Sequence, residues 1–374
     1  MNAFKEVNKK LGFGCMRLPM NGSEVNIEEF KKMVDHFIAN GFNYFDTAHP
    51  YIEGKSELAI KECLTKRYPR ASYLLANKLS TYMFNSYEDV FKIFDEQLEA
   101  VGVDYFDFYL MHAQGSGNYP KYQECKAYEA AQELKRLGKV RHVGFSFHDN
   151  AEYLDKILTE HPEVEFVQIQ FNYLDYDSLT VESKKCYDVC KKHNKPIVVM
   201  EPVKGGQLVN IPNYIKEIFD DVNKRQNTNY SNASFAIRFV ASFDQIFMVL
   251  SGMSNLSQMK DNVSYMKDFV PLNELELAAL NEVSKRFNAL DLIQCTGCRY
   301  CVDGCPKQIR IPRMFGLMNN SIIFSNIDNK DQYAWIIKDL GKASDCIKCG
   351  KCEHICPQHL PIRRLLEEVA NKYE

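Results

Sequence analysis

Between residue 11 and about residue 268, short apolar runs alternate with longer stretches whose apolar positions recur at helical spacing. The short runs predict strands at Gly12–Leu18, Tyr44–Ala48, Tyr73–Lys78, Phe106–His112, Arg141–Phe147, Phe166–Phe171, Ile197–Glu201 and Ile246–Ser251. Between them the periodicity predicts helices at Ile27–Asn40, Glu57–Arg67, Tyr87–Val101, Tyr119–Leu137, Asn150–Glu160, Leu179–His193, Asn232–Ser242 and Leu256–Lys267. Stop signals agree with two of them, since Asn40-Gly41 and Leu137-Gly138 supply the residue that adopts a left-handed helix end. Strict alternation of strand and helix means a parallel sheet. Eight such units suit a closed (β/α)8 barrel, a TIM barrel, better than an open doubly wound sheet. The G-x-G-x-x-G turn of the open fold is missing, because Gly12-Phe13-Gly14 falls within the first strand and no third glycine follows.

Past the barrel the pattern changes. Asn273–Asn288 reads as an acidic-then-basic amphipathic helix closing the barrel. Helical stretches at Ile311–Met318, Gln332–Leu340 and Pro361–Lys372 interleave with cysteines, so the fold class is α/β, with a smaller, mainly helical ferredoxin-type domain after the barrel. The expected domains are residues 1–288 and 289–374.

The cysteines of that second domain form one run written twice: Cys295, Cys298, Cys301, Cys305-Pro306, and Cys346, Cys349, Cys352, Cys356-Pro357. Both read C-x2-C-x2-C-x3-C-P, the spacing of bacterial two-cluster ferredoxins. Three cysteines at three-residue steps wrap one cube, while the fourth, on a turn ending in Pro, points elsewhere. The expected ligand sets are crossed: Cys295, Cys298, Cys301 and Cys356 for one [4Fe–4S] cluster, and Cys346, Cys349, Cys352 and Cys305 for the other. Structural zinc would use only four of the eight. Cys15, Cys63, Cys125, Cys186 and Cys190 are scattered and read as inert thiols.

Composition narrows the class further. Hydrophobic residues make up 45% and charged residues 25% of the chain, ordinary values for a globular protein with a large core. A net charge of -3 excludes the basic field of a nucleic-acid binder. No apolar run approaches a membrane span, and the polar first ten residues lack the apolar stretch of a signal peptide. The expectation is a cytoplasmic protein with no membrane partner.

In a (β/α)8 barrel the chemistry sits at the carboxyl ends of the strands. Asp46 ends the second strand with Tyr51 five residues on, Lys78 ends the third, and His112 ends the fourth. A carboxylate, a phenol, an ammonium and an imidazole together make a device for controlling one proton. The expectation is that Lys78 lowers the Tyr51 pKa by stabilising phenolate, with Asp46 holding Lys78 charged and His112 bonding a carbonyl oxygen or joining the relay.

These residues, with Phe45-Asp-Thr-Ala48, Leu110-Met-His112, Gly138-Lys-Val-Arg141, Val143-Gly-Phe-Ser146, Gln168 and Leu250-Ser-Gly-Met-Ser-Asn255, resemble the aldo-keto reductase family over residues 10–268. The cysteine-rich tail resembles that of the branch fused to a ferredoxin-like domain. The resemblance implies hydride transfer between a nicotinamide and a carbonyl or alcohol substrate, with Tyr51 as general acid. It implies Ser146 and Gln168 at the carboxamide, Gly252, Met253, Ser254 and Asn255 at the phosphates, and Gln258 and Asn262 at the adenosine end.

Three departures stand out. Phe147 follows Ser146 where the family usually has Asn. Met200-Glu201-Pro202-Val203-Lys204 stands where an aromatic usually stacks under the nicotinamide. No arginine near Met259-Lys260 matches the one that grips a 2′-phosphate. NADP, NAD and a flavin in the loosened stacking site therefore stay open as cofactors beside the two clusters. Lys204 and Lys260 read either as phosphate ligands or as solvated surface lysines. Arg17, His49, Tyr82 and Phe147 are expected at the mouth, which takes a small-molecule carbonyl substrate. A redox protein is a further expected partner for the clusters. The alternative is an electron-transfer protein whose barrel only docks a partner.

Overall fold

A computed structural model describes residues 4–178, 181–323, 330–338 and 340–374 of the chain. The strands are β1 (Leu11–Gly14), β2 (Met20–Asn21), β3 (Glu24–Val25), β4 (Tyr44–Asp46), β5 (Leu74–Leu79), β6 (Phe106–Gln114), β7 (Val140–Phe147), β8 (Phe166–Gln170), β9 (Ile197–Met200) and β10 (Ile246–Ser251). Among the described residues, β1 and β4 to β10 close into a parallel barrel in which β1 pairs with both β4 and β10, and β2 and β3 make a small antiparallel hairpin. All eight expected barrel strands are present. The first is shorter than expected: it ends at Gly14, and the chain turns through a 3-10 segment at Cys15–Arg17.

Helix boundaries differ in places, each for a local reason. Tyr119–Leu137 is two helices, Tyr119–Glu124 and Ala127–Arg136, because Lys126 adopts a left-handed conformation (φ +51°) between them. Glu57–Arg67 begins earlier, at Lys55, and widens into a π turn at Lys61–Thr65. The helix expected from Leu179 begins at Ser183, and residues 179–180 lie outside the described residues. A helix at Asn213–Gln226 was not anticipated, although Ile215, Phe219 and Val222 form its buried stripe and Asn227 caps it in the left-handed region.

By compactness the chain forms two units: Met1–Pro202 with Ala233–Leu272, and Val203–Asn232 with Asn273–Glu374. The first contains the barrel. Its interior follows the period-two rule of strands, with Tyr44, Ala76, Phe108, Leu110, Phe166, Val198, Met248 and Leu250 in one buried cluster. Gly144 is required there, since a Cβ would lie 2.6 Å from the Phe166 ring. Phe4 closes the amino-terminal end of the barrel, with ring centroids 4.8 Å from Phe247 and 5.3 Å from Phe108.

The second unit has its own core around Ile309, Ile311, Met314, Phe315, Ile362, Leu366 and Val369. Its helices include Glu274–Asn288, which opens with an Asn273/Glu276 capping box, and Ile311–Ile323 and Ile362–Tyr373, close to the expected stretches. The expected stretch at Gln332–Leu340 is a helix at Lys330–Ile336, and residue 339 lies outside the described residues. Among the described residues no helix is long and apolar enough to cross a membrane.

Beside Phe4, His142 bridges Glu6 (2.6 Å) and Glu165 (2.9 Å). Burial works to lower the His142 pKa, but the two carboxylates outweigh it and the imidazole ends above its ordinary 6.5. Glu165, which burial alone would raise, is brought down to about 2 by His142, Lys135 and the Val143 amide. The raised histidine stabilises the fold fully below its unfolded pKa, and the benefit is lost as pH rises through the folded value. The lowered glutamate stabilises above its unfolded pKa, and that benefit is lost as pH falls toward about 2. Replacing His142 by Gln is therefore expected to cost roughly 1–3 kcal/mol at about pH 5.5 and markedly less at about pH 10. Denaturant unfolding at the two pH values measures this, and an equal cost at both would refute the charged-bridge assignment.

Candidate active site and cluster ligands

The strand register assembles the barrel site. Asp46 is level with Ala76, Ala76 with Phe108, and Lys78 with Leu110. Tyr44 and Asp46, Ala76 and Lys78, Leu110 and His112 are two apart, so each polar residue stands one layer above an apolar one on the same strand face. Lys78 is wholly buried, and its Nζ donates to Asp46 Oδ1 at 2.6 Å and to the Thr47 carbonyl at 2.8 Å. Tyr51, 7% exposed, lies with its ring centroid 4.8 Å from Lys78 Nζ and 6.1 Å from the His112 ring. The four expected residues thus share one buried compartment.

Their electrostatics differ from the expectation in one respect. Burial pushes the Tyr51 phenol well above 10, and Asp46, Glu201 and Cys15 add to the shift. The Lys78 ammonium does not offset this, because Asp46 neutralises it at hydrogen-bond distance. Burial also lowers Lys78 and raises Asp46, each opposed by the charge of the other. His112 is pushed well below 6.5 by burial and by Lys78, so it is a neutral imidazole; its Nδ1 lies 2.7 Å from Ser80 Oγ. The site keeps the phenol protonated.

Some supporting residues escaped the sequence. The buried Glu57 carboxylate takes His49 Nδ1 (2.9 Å) and Asn77 Nδ2 (2.8 Å), tying the loop that carries Tyr51 to the strand that carries Lys78. His49 is correspondingly raised by Glu57. Glu201, at φ +57°, stands 3.9 Å from Arg17 and is near enough to raise Tyr51. A carboxylate next to a strand-end Met is no signal by itself, and only the folded barrel brings it to the phenol.

The expected cofactor residues separate into two groups. Ser146 and Gln168 are register partners and buried. Gln168 Nε2 faces Met200 Sδ at 3.6 Å, and its Oε1 is buried with no hydrogen-bond partner among the described residues. A buried acceptor left open suits the amide N–H of a carboxamide. Around the carboxyl end of β10, Ser254 and Gln258 are exposed and Met253 is buried. The Ser254 amide is covered by Gln258 Oε1 (2.7 Å), and Asn255 caps the Gln258 amide (2.9 Å). Gly252 leaves room for Arg17, whose Cδ would lie 3.3 Å from an added Cβ. Asn262 is buried, with Nδ2 donating to Ser251 Oγ (2.6 Å) and Oδ1 accepting from Tyr265 (2.5 Å), and each atom keeps capacity for a second hydrogen bond. Lys260 is exposed, whereas Lys204 is fully buried rather than a surface lysine.

In the second unit, Cys305 of the first run and Cys346, Cys349 and Cys352 of the second line one small pocket, with Lys307, Lys351 and Arg363 at its wall. Cys301 is buried, and burial raises its thiol, with smaller contributions from Cys298, Cys295, Cys356 and Cys352. The pocket joins the fourth cysteine of the first run to the first three of the second. Among the described residues no three ligands converge closely enough for a single metal ion. The five remaining cysteines are buried, with Cys186 raised to about 12 by burial.

Comparison with known proteins agrees with both halves. The model of the aldo/keto reductase family matches residues 10–285, and that of a 4Fe-4S dicluster domain matches residues 294–360. The oxidoreductase YqkF of Bacillus subtilis is 23% identical over 306 residues, covering 74% of this chain and 93% of its own. L-galactose dehydrogenase of Arabidopsis thaliana is 24% identical, covering 73% and 88%. Among solved structures, an aldo-keto reductase from Bacillus halodurans superposes with a TM-score of 0.58 at 22% identity, over 74% of this chain and 92% of that one. An aldo/keto reductase from Klebsiella pneumoniae in complex with NADP and acetate superposes with a TM-score of 0.59 at 18% identity, over 74% and 91%. With the barrel, its strand-end residues and the paired cysteine runs in place, the chain belongs to the aldo/keto reductase family and is an oxidoreductase carrying a carboxyl-terminal 4Fe-4S domain.

Proposed function

We propose that the barrel interconverts a small-molecule carbonyl and its alcohol, with Tyr51 as the proton donor, and that the second unit carries two [4Fe–4S] clusters exchanging electrons with that reaction. The observation that carries the reading is the wholly buried Lys78 paired with Asp46 beside the Tyr51 ring. A buried ion pair is seldom a gain in stability over apolar packing, so its presence at a strand end speaks for chemistry. A nicotinamide, when bound, supplies the hydride. Ser146 and the open Gln168 Oε1 would hold its carboxamide. NADP is the proposed form, by likeness to the Klebsiella pneumoniae structure named for it.

The residues of the chain divide the remaining work. Tyr51 keeps its proton at neutral pH and releases it only to a strong base; an alkoxide forming on the substrate is stronger than phenolate. The Lys78 ammonium, fixed by Asp46 and the Thr47 carbonyl beside the ring, orders the compartment in which Tyr51 donates. Neutral His112, braced by Ser80, can hydrogen-bond the substrate oxygen without competing as an acid. Crossed ligation assigns Cys295, Cys298, Cys301 and Cys356 to one cluster and Cys346, Cys349, Cys352 and Cys305 to the other.

Tyr51→Phe is expected to lower carbonyl reduction by about 10²–10⁴-fold while leaving the iron content unchanged. The wild-type rate should fall on the alkaline side only above pH 10, because the phenol is raised. Steady-state assays with NADPH decide both points, and full activity in the Phe variant would remove Tyr51 from the mechanism. Lys78→Met should cost roughly 3–5 kcal/mol by stranding Asp46, and adding Asp46→Asn should restore much of that stability without restoring turnover. A double variant no more stable than the single one, in thermal unfolding, would contradict the pairing. Cys305→Ala should damage the cluster of the second run, read by electron paramagnetic resonance; selective loss of the first-run cluster would disprove crossing.

A further inference from the structure

The chain leaving β9 runs Glu201-Pro202-Val203-Lys204-Gly205-Gly206-Gln207-Leu208. Its segment from Val203 belongs to the same compact unit as the cysteine runs. Three consecutive residues there, Lys204 (φ +48°), Gly205 (φ +62°) and Gly206 (φ +98°), are left-handed. A lysine in that region is strained and persists only where its surroundings hold it. Lys204 and Leu208 are both fully buried, so the turn is anchored at each side.

What the turn packs against is the first cluster-ligand peptide. Gly205 approaches the Thr296 carbonyl so closely that a Cβ would lie 2.1 Å from its oxygen, and a side chain is excluded by contact as well as by φ. Two residues on, Gln207 Nε2 donates to the Cys295 carbonyl at 2.9 Å. From the other side, Asn319 braces the approach to Cys295, exchanging 2.8 Å hydrogen bonds with both the N–H and the carbonyl of Ile293. Peptide groups are planar and trans, so a carbonyl held on one edge fixes the direction of the N–H on the opposite edge. The peptide joining Cys295 to Thr296 is therefore held by its oxygen, the next peptide lies in close contact with Gly205, and the N–H that follows the first ligand is oriented. Hydrogen bonds to cluster sulfur are among the factors that set a cluster potential.

We infer that the turn after β9 is a positioning clamp for the cluster bound by Cys295, Cys298, Cys301 and Cys356, with Gly205 and Gln207 as its positioning residues. The inference rests on the two-cluster reading above. It gives the turn a role in tuning and retaining one cluster, distinct from any role in substrate or nicotinamide binding.

The test uses the full-length chain reconstituted anaerobically with iron and sulfide. Gly205→Ala is expected to lose about half of the bound iron, with the paramagnetic signal of the second-run cluster retained. Gln207→Leu, which is close in volume and leaves the backbone free to fold, is expected to keep both clusters and shift the midpoint potential of one only, read by redox titration with spectroscopic detection. Gln207→Glu reverses the local charge and should shift the same cluster, not the other. Wild-type protein holding two clusters, with iron content and both potentials unmoved in the variants, would overturn the clamp alone. Equal shifts of both potentials would also overturn it, since that marks a general loosening. Wild-type protein that binds no iron would sink the ligand assignment and the clamp together.

Discussion

A lysine ammonium with no solvent contact is stable only when a counter-charge and hydrogen-bond acceptors replace its water. Asp46 and the Thr47 carbonyl do this for Lys78, and the arrangement organises the site. The pair fixes the ends of β4 and β5 relative to each other, places a positive charge beside the Tyr51 ring, and helps keep His112 neutral. It also explains why the phenol is not acidified. Asp46, 2.6 Å from the Lys78 ammonium, adds its own charge to burial in raising the phenol. In the proposed mechanism, proton donation then depends on the basicity of the developing alkoxide.

The second layer of this design lies behind the four residues. Glu57 ties His49, on the Tyr51 loop, to Asn77, the neighbour of Lys78. Ser56 does the same for the other side of that loop, with its hydroxyl 2.8 Å from Thr47 Oγ1 and donating to the Cys15 carbonyl at 2.9 Å. Such hydrogen bonds between loop and strand limit the drift of a donor whose geometry must be right within a few tenths of an ångström.

In the second unit the constraint is topological rather than electrostatic. On the proposed crossed ligation, three cysteines of a run would serve one cluster and the fourth the other, so the two runs, forty residues apart, would have to fold against each other before either ligand set is complete. Helices Ile311–Ile323 and Ile362–Tyr373 provide the core on which this happens. The grouping of Cys305 with Cys346, Cys349 and Cys352 about one cavity is the structural counterpart of the duplicated spacing. The turn after β9 adds a brace from residues far away in sequence, at the peptide of the first ligand.

Local pattern determined much of this protein. Period-two and helical spacing are short-range properties, so the eight barrel strands and the duplicated cysteine motif are legible without any coordinates. The rule that barrel chemistry lies at carboxyl strand ends was enough to bring Asp46, Lys78 and His112 to attention. Tertiary structure alone decided three other things. It set the sign of the Tyr51 shift, because burial and the spent charge of Lys78 depend on what surrounds the phenol. It gave Asn262 its partners Ser251 and Tyr265, from positions eleven residues before and three after it. And it gave Gly205 and Gln207 their place beside Cys295 and Thr296, a contact across some ninety residues that no local periodicity encodes.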